Sequence, residues 1–432
     1  VRPLPGAFVL SQPPENTNQT RIAPTDGLCE FFLVITPGFE ELAQKEIFRW
    51  IAPGTPTTVE RGGLTVRLPL IEGCALNRVL KIPTRILLRL ADFGCRDFPK
   101  LFKKTAGLPW QDWIPDGSTV EFQASSHKSR LSIKKRIEET CLDGFKKYLK
   151  SRDLDVNQAA KVKQTAATEL LQVMVRFDDD VCTISLDTSG ELLHKRGTKR
   201  LSAEAPLRET IAAALLEFMN FVGPVESDPV TLIDPMVGSG TFAIEAAHLG
   251  SIISSRTFAF ESFPRYLRES GESPVEKANA HNERERSAVP FAHFIGIDID
   301  PKAAEAARGN WRSLGDKRDF KVEVADIFEA KPLVIEGKRW LVTNPPYGER
   351  LKVEGRLKDY YELLFEACER VTKPDRACFL LPNTADPERL KFPRRWELTA
   401  SLEFQNGGLP VTALLFSGAG SGVTDFAFPK VR

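Results

Sequence analysis

Followed as a string of apolar and polar positions, the chain changes character near residue 190. Before it, apolar runs are short and several alternate, as in Leu64-Thr65-Val66-Arg67-Leu68 and Thr119-Val120-Glu121-Phe122-Gln123-Ala124-Ser125. That period of two is the mark of half-buried strands. Phe31–Ile35, Ile86–Ala91, Leu170–Phe177 and Val181–Leu186 read as further strands, the last two joined by Asp178-Asp179-Asp180. Helices are expected over Glu40–Trp50, from Ile71 to about Leu80, and over Phe98–Ala106, with a loop rich in Pro, Gly and Thr between Trp50 and Gly62. A basic amphipathic helix follows the strand at 119–125, its apolar positions Leu131, Ile137, Cys141, Leu142 and Phe145 falling on one face.

After residue 205 the strands become continuous apolar runs separated by helical periodicities. Pro206 suits a first helical turn, and Leu207, Ile211, Leu215 and Phe218 recur at helical spacing. Val230–Ile233, Phe294–Asp300, Phe320–Val324, Trp340–Val342 and Ala377–Leu381 read as buried strands, with Leu398–Phe404 and Val411–Phe416 as two more. Between them lie helices over Phe242–Leu249, Pro301–Trp311 and Leu357–Val371 and an irregular excursion over 251–292. Strands alternating with helices predict an α/β domain with a doubly wound parallel sheet. The expected organisation is a polar, proline-bearing, disordered tail (1–27), small strand-and-helix units over 28–80 and 81–190, a linker (191–204), and the large unit (205–432).

Composition narrows the setting. The chain has 432 residues, 42% hydrophobic and 27% charged, with a net charge of +1. That suits a soluble globular protein of two or three domains, so any surface for a polyanion must be local. Two basic clusters qualify: Lys128, Arg130, Lys134, Lys135 and Arg136, and then Lys195, Arg196, Lys199 and Arg200. Each is either a solvated, charged face or a set of phosphate contacts. Seven cysteines, none in Cys-x-x-Cys or in a ligand array with His, point to a reduced, cytoplasmic protein with no metal site. No stretch reads as a membrane span, and the oligomeric state stays open.

The chemistry is concentrated at strand ends. Trp340-Leu341-Val342 runs into Thr343-Asn344-Pro345-Pro346-Tyr347-Gly348-Glu349-Arg350-Leu351, and the two prolines stop the strand. The exocyclic amine of a nucleobase is a poor nucleophile because its lone pair is delocalised into the ring. The Asn344 amide oxygen and the Pro345 carbonyl would each accept one N–H and aim that lone pair at an electrophile. Pro345 and Pro346 would keep the backbone rigid, and Tyr347 would stack on the base. At earlier strand ends, Asp234-Pro235-Met236-Val237-Gly238-Ser239-Gly240-Thr241 lets a ligand approach the backbone. Asp298 would grip ribose hydroxyls and Asp326 an adenine amino group. The loop lacks a phosphate-binding Lys and a full dinucleotide fingerprint. An adenosine-bearing donor without a pyrophosphate fits, and S-adenosylmethionine is that donor.

These stretches, with Gly190-Glu191-Leu192-Leu193-His194-Lys195-Arg196-Gly197, Ala205-Pro206-Leu207-Arg208-Glu209-Thr210 and Gly296–Asp300, resemble the THUMP-domain class I methyltransferases that make N2-methylguanosine in RNA. The resemblance covers nearly everything after residue 27 and is greatest to the amino-terminal half of the bacterial large-subunit rRNA enzymes. It implies a Rossmann-like class I methyltransferase domain preceded by ferredoxin-like (28–80) and THUMP (81–190) α+β domains. It further implies Asn344–Tyr347 as the amine-holding motif, S-adenosylmethionine as cofactor, and structured RNA as partner, rRNA ahead of tRNA. Methylation of a tRNA guanosine, of an adenine N6, or an inert RNA-binding assembly role are the alternatives.

Overall fold

Val230-Thr231-Leu232-Ile233-Asp234 is buried at every position, so it has no solvent face to mark with polar residues. Such a strand belongs at the centre of a sheet covered on both sides. That is where it lies in the computed structural model, which describes residues 21–22, 27–152, 170–197, 207–221, 229–253, 256–270, 291–347 and 357–418.

The amino-terminal half is built on one sheet of β1 (Arg21–Ile22), β2 (Leu28–Val34), β3 (Thr57–Glu60), β4 (Gly63–Pro69), β5 (Arg85–Gly94), β6 (Thr119–His127), β7 (Leu170–Asp178) and β8 (Val181–Asp187). Its order is β3-β4-β2-β5-β8-β7-β6, with β1 on β5. The division expected at 80/81 therefore falls inside a continuous sheet, since β5 pairs directly with β2 on one side and β8 on the other. The exposed β3 carries almost no apolar signal, which is why it reads as loop. Asp179 and Asp180 both adopt positive φ in the tight turn between β7 and β8. The basic helix runs over Lys134–Lys150, so Lys128, Arg130 and Leu131 precede it rather than lie on it.

The second sheet holds β9 (Val230–Asp234), β10 (Phe291–Asp298), β11 (Asp319–Val324), β12 (Lys338–Thr343), β13 (Arg376–Pro382), β14 (Trp396–Asn406) and β15 (Leu409–Gly418), in the order β11-β10-β9-β12-β13-β15-β14. The first five are parallel and Rossmann-like, as expected. β15 runs antiparallel to both β13 and β14, so the sheet is mixed at that edge. For β14 and β15 the reason is local: Asn406 faces Leu409 across Gly407-Gly408, both at positive φ, and so short a turn only joins antiparallel strands. Pro301 at the first turn and an Asp300 carboxylate accepting from the Lys302 N–H start the helix Pro301–Leu314; Gly315 at φ +70° ends it.

The halves share a core. One buried cluster runs from Phe31, Leu64 and Leu88 of the first sheet to Leu216, Leu232 and Phe294 around the second. Phe39 meets Phe404 of β14 with ring centroids 4.5 Å apart. Buried charge crosses the same junction. Arg196 binds both carboxylate oxygens of Glu245, at 2.9 and 3.3 Å, and donates to the carbonyls of Leu193 and Lys81. Lys81, itself buried, donates to the Ser251 carbonyl, and Arg49 pairs with Glu217.

Candidate active site

β11, β10, β9 and β12 are neighbours and parallel, so Asp326, Asp298, Asp234 and Asn344 follow consecutive strands at one edge of the sheet. Three interstrand steps make that row roughly 14 Å long. The strand order reverses between β9 and β12, and such a reversal opens the crevice in which α/β sheets bind ligands. Asp234 and Asn344 flank it.

The glycine loop is fastened from three sides. Val237 N–H donates to the Ile297 carbonyl (2.9 Å), Gly238 N–H to an Asp298 carboxylate oxygen (2.8 Å), and Asn310 to the Ser239 carbonyl (3.0 Å). Gly238, at φ +51°, has no atom within 4 Å of where a Cβ would be, so its outer face is open. Gly240, at φ +83°, would set a Cβ 3.3 Å from Ala307 and allows the loop to lie on the helix Pro301–Leu314. Ser239 and Thr241 are buried beside it, as is Pro235. Gly296, which opens the Gly296–Asp300 stretch, matters as much: a Cβ there would lie 2.6 Å from Val237 Cγ2.

Asp234 accepts from the Met236 N–H (3.1 Å) and is 5% exposed; burial pushes its carboxyl up to about 7. Asp298 uses its second oxygen to accept from the Asp300 N–H (2.9 Å), so the ribose grip expected of it would use remaining lone pairs. Asp326, half-buried, accepts from the Phe328 N–H (2.9 Å).

In the Asn-Pro-Pro-Tyr segment Pro345 is buried, and the Pro346 carbonyl accepts from the buried Tyr361 hydroxyl (2.9 Å). Asn344 is half-buried, its amide oxygen accepting from the Tyr347 hydroxyl at 2.6 Å. Tyr347 also accepts from Asn406 Nδ2 at 3.2 Å, and burial holds its phenol up at about 12. So Asn344 and Tyr347 touch each other, a contact the motif reading does not contain. Asn406 comes from the β14–β15 turn, 59 residues beyond Tyr347. Gly348–Leu351 lie outside the described residues.

The basic residues divide. Lys128, Arg130, Lys134, Lys135 and Arg136 are exposed near the start of the helix Lys134–Lys150, the Arg136 guanidinium 4.2 Å over the Phe98 ring. Lys195 is exposed and pairs with Glu191. Arg196 corrects the reading of its cluster as phosphate contacts: it is 2% exposed, sealed into the junction by Glu245, and cannot reach a phosphate. Lys199 and Arg200 lie outside the described residues. Among the described residues no group of three or more His, Cys, Asp or Glu could hold a metal ion, and no helix is long and apolar enough to cross a membrane.

Residues 196–410 match the family described as UPF0020, RMKL-like, methyltransferase domain. The ribosomal RNA large subunit methyltransferase K/L of Syntrophotalea carbinolica is 28% identical over 352 residues, 79% of this chain and 47% of that one. The YpsC protein of Bacillus subtilis is 28% identical over 338 residues, 77% of this chain and 82% of its own. The chain thus spans about half the length of the K/L relatives it matches. The fold of SMU.472, crystallised with SAH, superposes with a TM-score of 0.72 at 24% identity, covering 91% of this chain and 99% of that one.

Proposed function

This chain belongs, through residues 196–410, to the UPF0020 family of RMKL-like methyltransferase domains, and on that footing we propose that it methylates the exocyclic N2 of a guanosine in large-subunit ribosomal RNA with S-adenosylmethionine. The observation that carries the reading is the placement of Asn344 and Asp234 on either side of the sheet's switch point, with the open face of Gly238 in the loop that leaves β9. The relatives named as K/L rRNA methyltransferases favour rRNA.

The residues fit such a donor. Asp234 is a buried carboxyl that an ammonium group would return to its charged form. Gly238 leaves room against the loop, and Asp298 and Asp326 supply carboxylates one and two strands away, where ribose hydroxyls and an adenine amine would lie. Bound S-adenosylmethionine supplies a methyl group on a sulfonium. Asn344 Oδ1 and the Pro345 carbonyl accept the two amine N–H groups of the target base, which turns the nitrogen lone pair toward that methyl. Tyr347 packs on the base, extruded from its stack to reach the pocket. The amino-terminal half, built on one continuous sheet, holds folded RNA by shape and backbone, with Lys128, Arg130, Lys134, Lys135 and Arg136 on phosphate.

The test offers rRNA and tRNA separately, from cells lacking the protein, with methyl-labelled S-adenosylmethionine. N2-methylguanosine in rRNA alone is the expected product. Label in tRNA, or N6-methyladenosine in either pool, would overturn the substrate assignment.

A further inference from the structure

A hydroxyl has one proton to give, and the surroundings of Tyr347 fix where it goes. Asn406 presents its Nδ2 to the hydroxyl at 3.2 Å and can only donate there, so the Tyr347 oxygen accepts on that side. Its proton is left for Asn344 Oδ1, 2.6 Å away. That bond decides which end of the Asn344 amide is the oxygen and uses one of its two lone pairs. The other stays available to a substrate amine.

We propose that Asn406 is a positioning residue for methyl transfer: through Tyr347 it sets the Asn344 amide with its acceptor oxygen toward the amine of the target base. The inference rests on the amine-holding role given to Asn344 above. Asn406 ends β14 beside the Gly407-Gly408 turn, far in sequence from every strand-end motif. Its work on the site passes through the Tyr347 hydroxyl and touches no substrate atom. The arrangement is an outer layer of hydrogen bonds that orients a reactive group.

The discriminating variant is Asn406→Asp. A carboxylate accepts and does not donate, so it takes the Tyr347 proton and releases the Asn344 amide. Position 406 is half-buried at a hairpin turn and the change is isosteric, so the fold is retained; unchanged affinity for S-adenosylmethionine checks this. We expect kcat to fall roughly tenfold, the low end of what outer hydrogen-bond partners contribute, with KM for RNA little changed. Tyr347→Phe removes the same bond, so adding Asn406→Asp to it should cost nothing further, whereas independent roles would multiply. A readout without RNA goes with this: in protein labelled with 15N-asparagine, the Asn344 side-chain amide signals shift in Asn406→Asp. Wild-type kcat in that variant, or unshifted Asn344 signals, overturns the inference. A shift in a protein that methylates none of the RNAs offered leaves the relay supported and counts against the RNA reading alone.

Discussion

Replacing Arg196 with Met separates two meanings of one residue. If Arg196 contacts phosphate, its loss leaves folding alone, weakens RNA binding and lowers the salt slope by about one counterion. The structure assigns the opposite outcome. The Arg196 side chain is 1% exposed and that of Glu245 is fully buried, so Met leaves a carboxylate inside the junction without the guanidinium that binds both its oxygens. Breaking a buried pair from one side costs about 3–5 kcal/mol. The carbonyls of Leu193 and Lys81 also lose donors at 2.7 Å, which places the total toward the upper end. For a chain of 432 residues whose halves share a core, that lowers the unfolding midpoint by roughly 5 °C. Calorimetric scans of wild type, Arg196→Met, Glu245→Leu and the double variant measure it. The double variant should recover much of the loss, because no charge is then stranded. An Arg196→Met protein that melts with the wild type and binds RNA with a shallower salt dependence would refute the argument and return Arg196 to the phosphate surface.

Three further predictions concern the site. Asn344→Ala should abolish methyl transfer while calorimetric affinity for S-adenosylmethionine stays near wild type; undiminished turnover would remove Asn344 from the chemistry. Because burial holds the Asp234 carboxyl near 7, it must lose a proton to meet an ammonium group, so S-adenosylmethionine should bind about tenfold more weakly at pH 6 than at pH 8. The same raised carboxyl contributes stability that is full below about 4 and lost as pH rises through 7; Asp234→Asn should flatten both profiles. Gly296→Ala drives a methyl to within 2.6 Å of Val237 Cγ2, so the loop must shift, costing about 1–3 kcal/mol in melts and weakening cofactor binding more than RNA binding.

Much of this was legible in the residues because it is local. Buried strands such as Val230–Asp234 announce themselves by continuous apolarity, and a glycine loop or a proline pair punctuates the chain wherever it lies. Partnerships across distance were not legible. Arg196 sits among lysines and looks like them; only the fold brings Glu245, 49 residues on, to cover it. Gly296 stands in a matching stretch, but the reason it must be glycine comes from Val237 on another strand's loop, which only the fold supplies. Asn406 falls between the strands expected over Leu398–Phe404 and Val411–Phe416 and carries no signal there; β15 folding back sets it beside Tyr347.

The turn Thr36-Pro37-Gly38 sets the amino-terminal half against β14. A Cβ on Gly38 would fall 2.5 Å from the Glu403 carbonyl, and Phe39 packs on Phe404, two residues before Asn406. The two halves are consequently not interchangeable parts. A chimera that gave the second sheet another amino-terminal half would need to bring a glycine and an aromatic ring to the same spot, or accept a hairpin that has lost its seat. A recombination that keeps this architecture is therefore expected to carry Gly38, Phe39, Arg196 and Glu245 together as one unit.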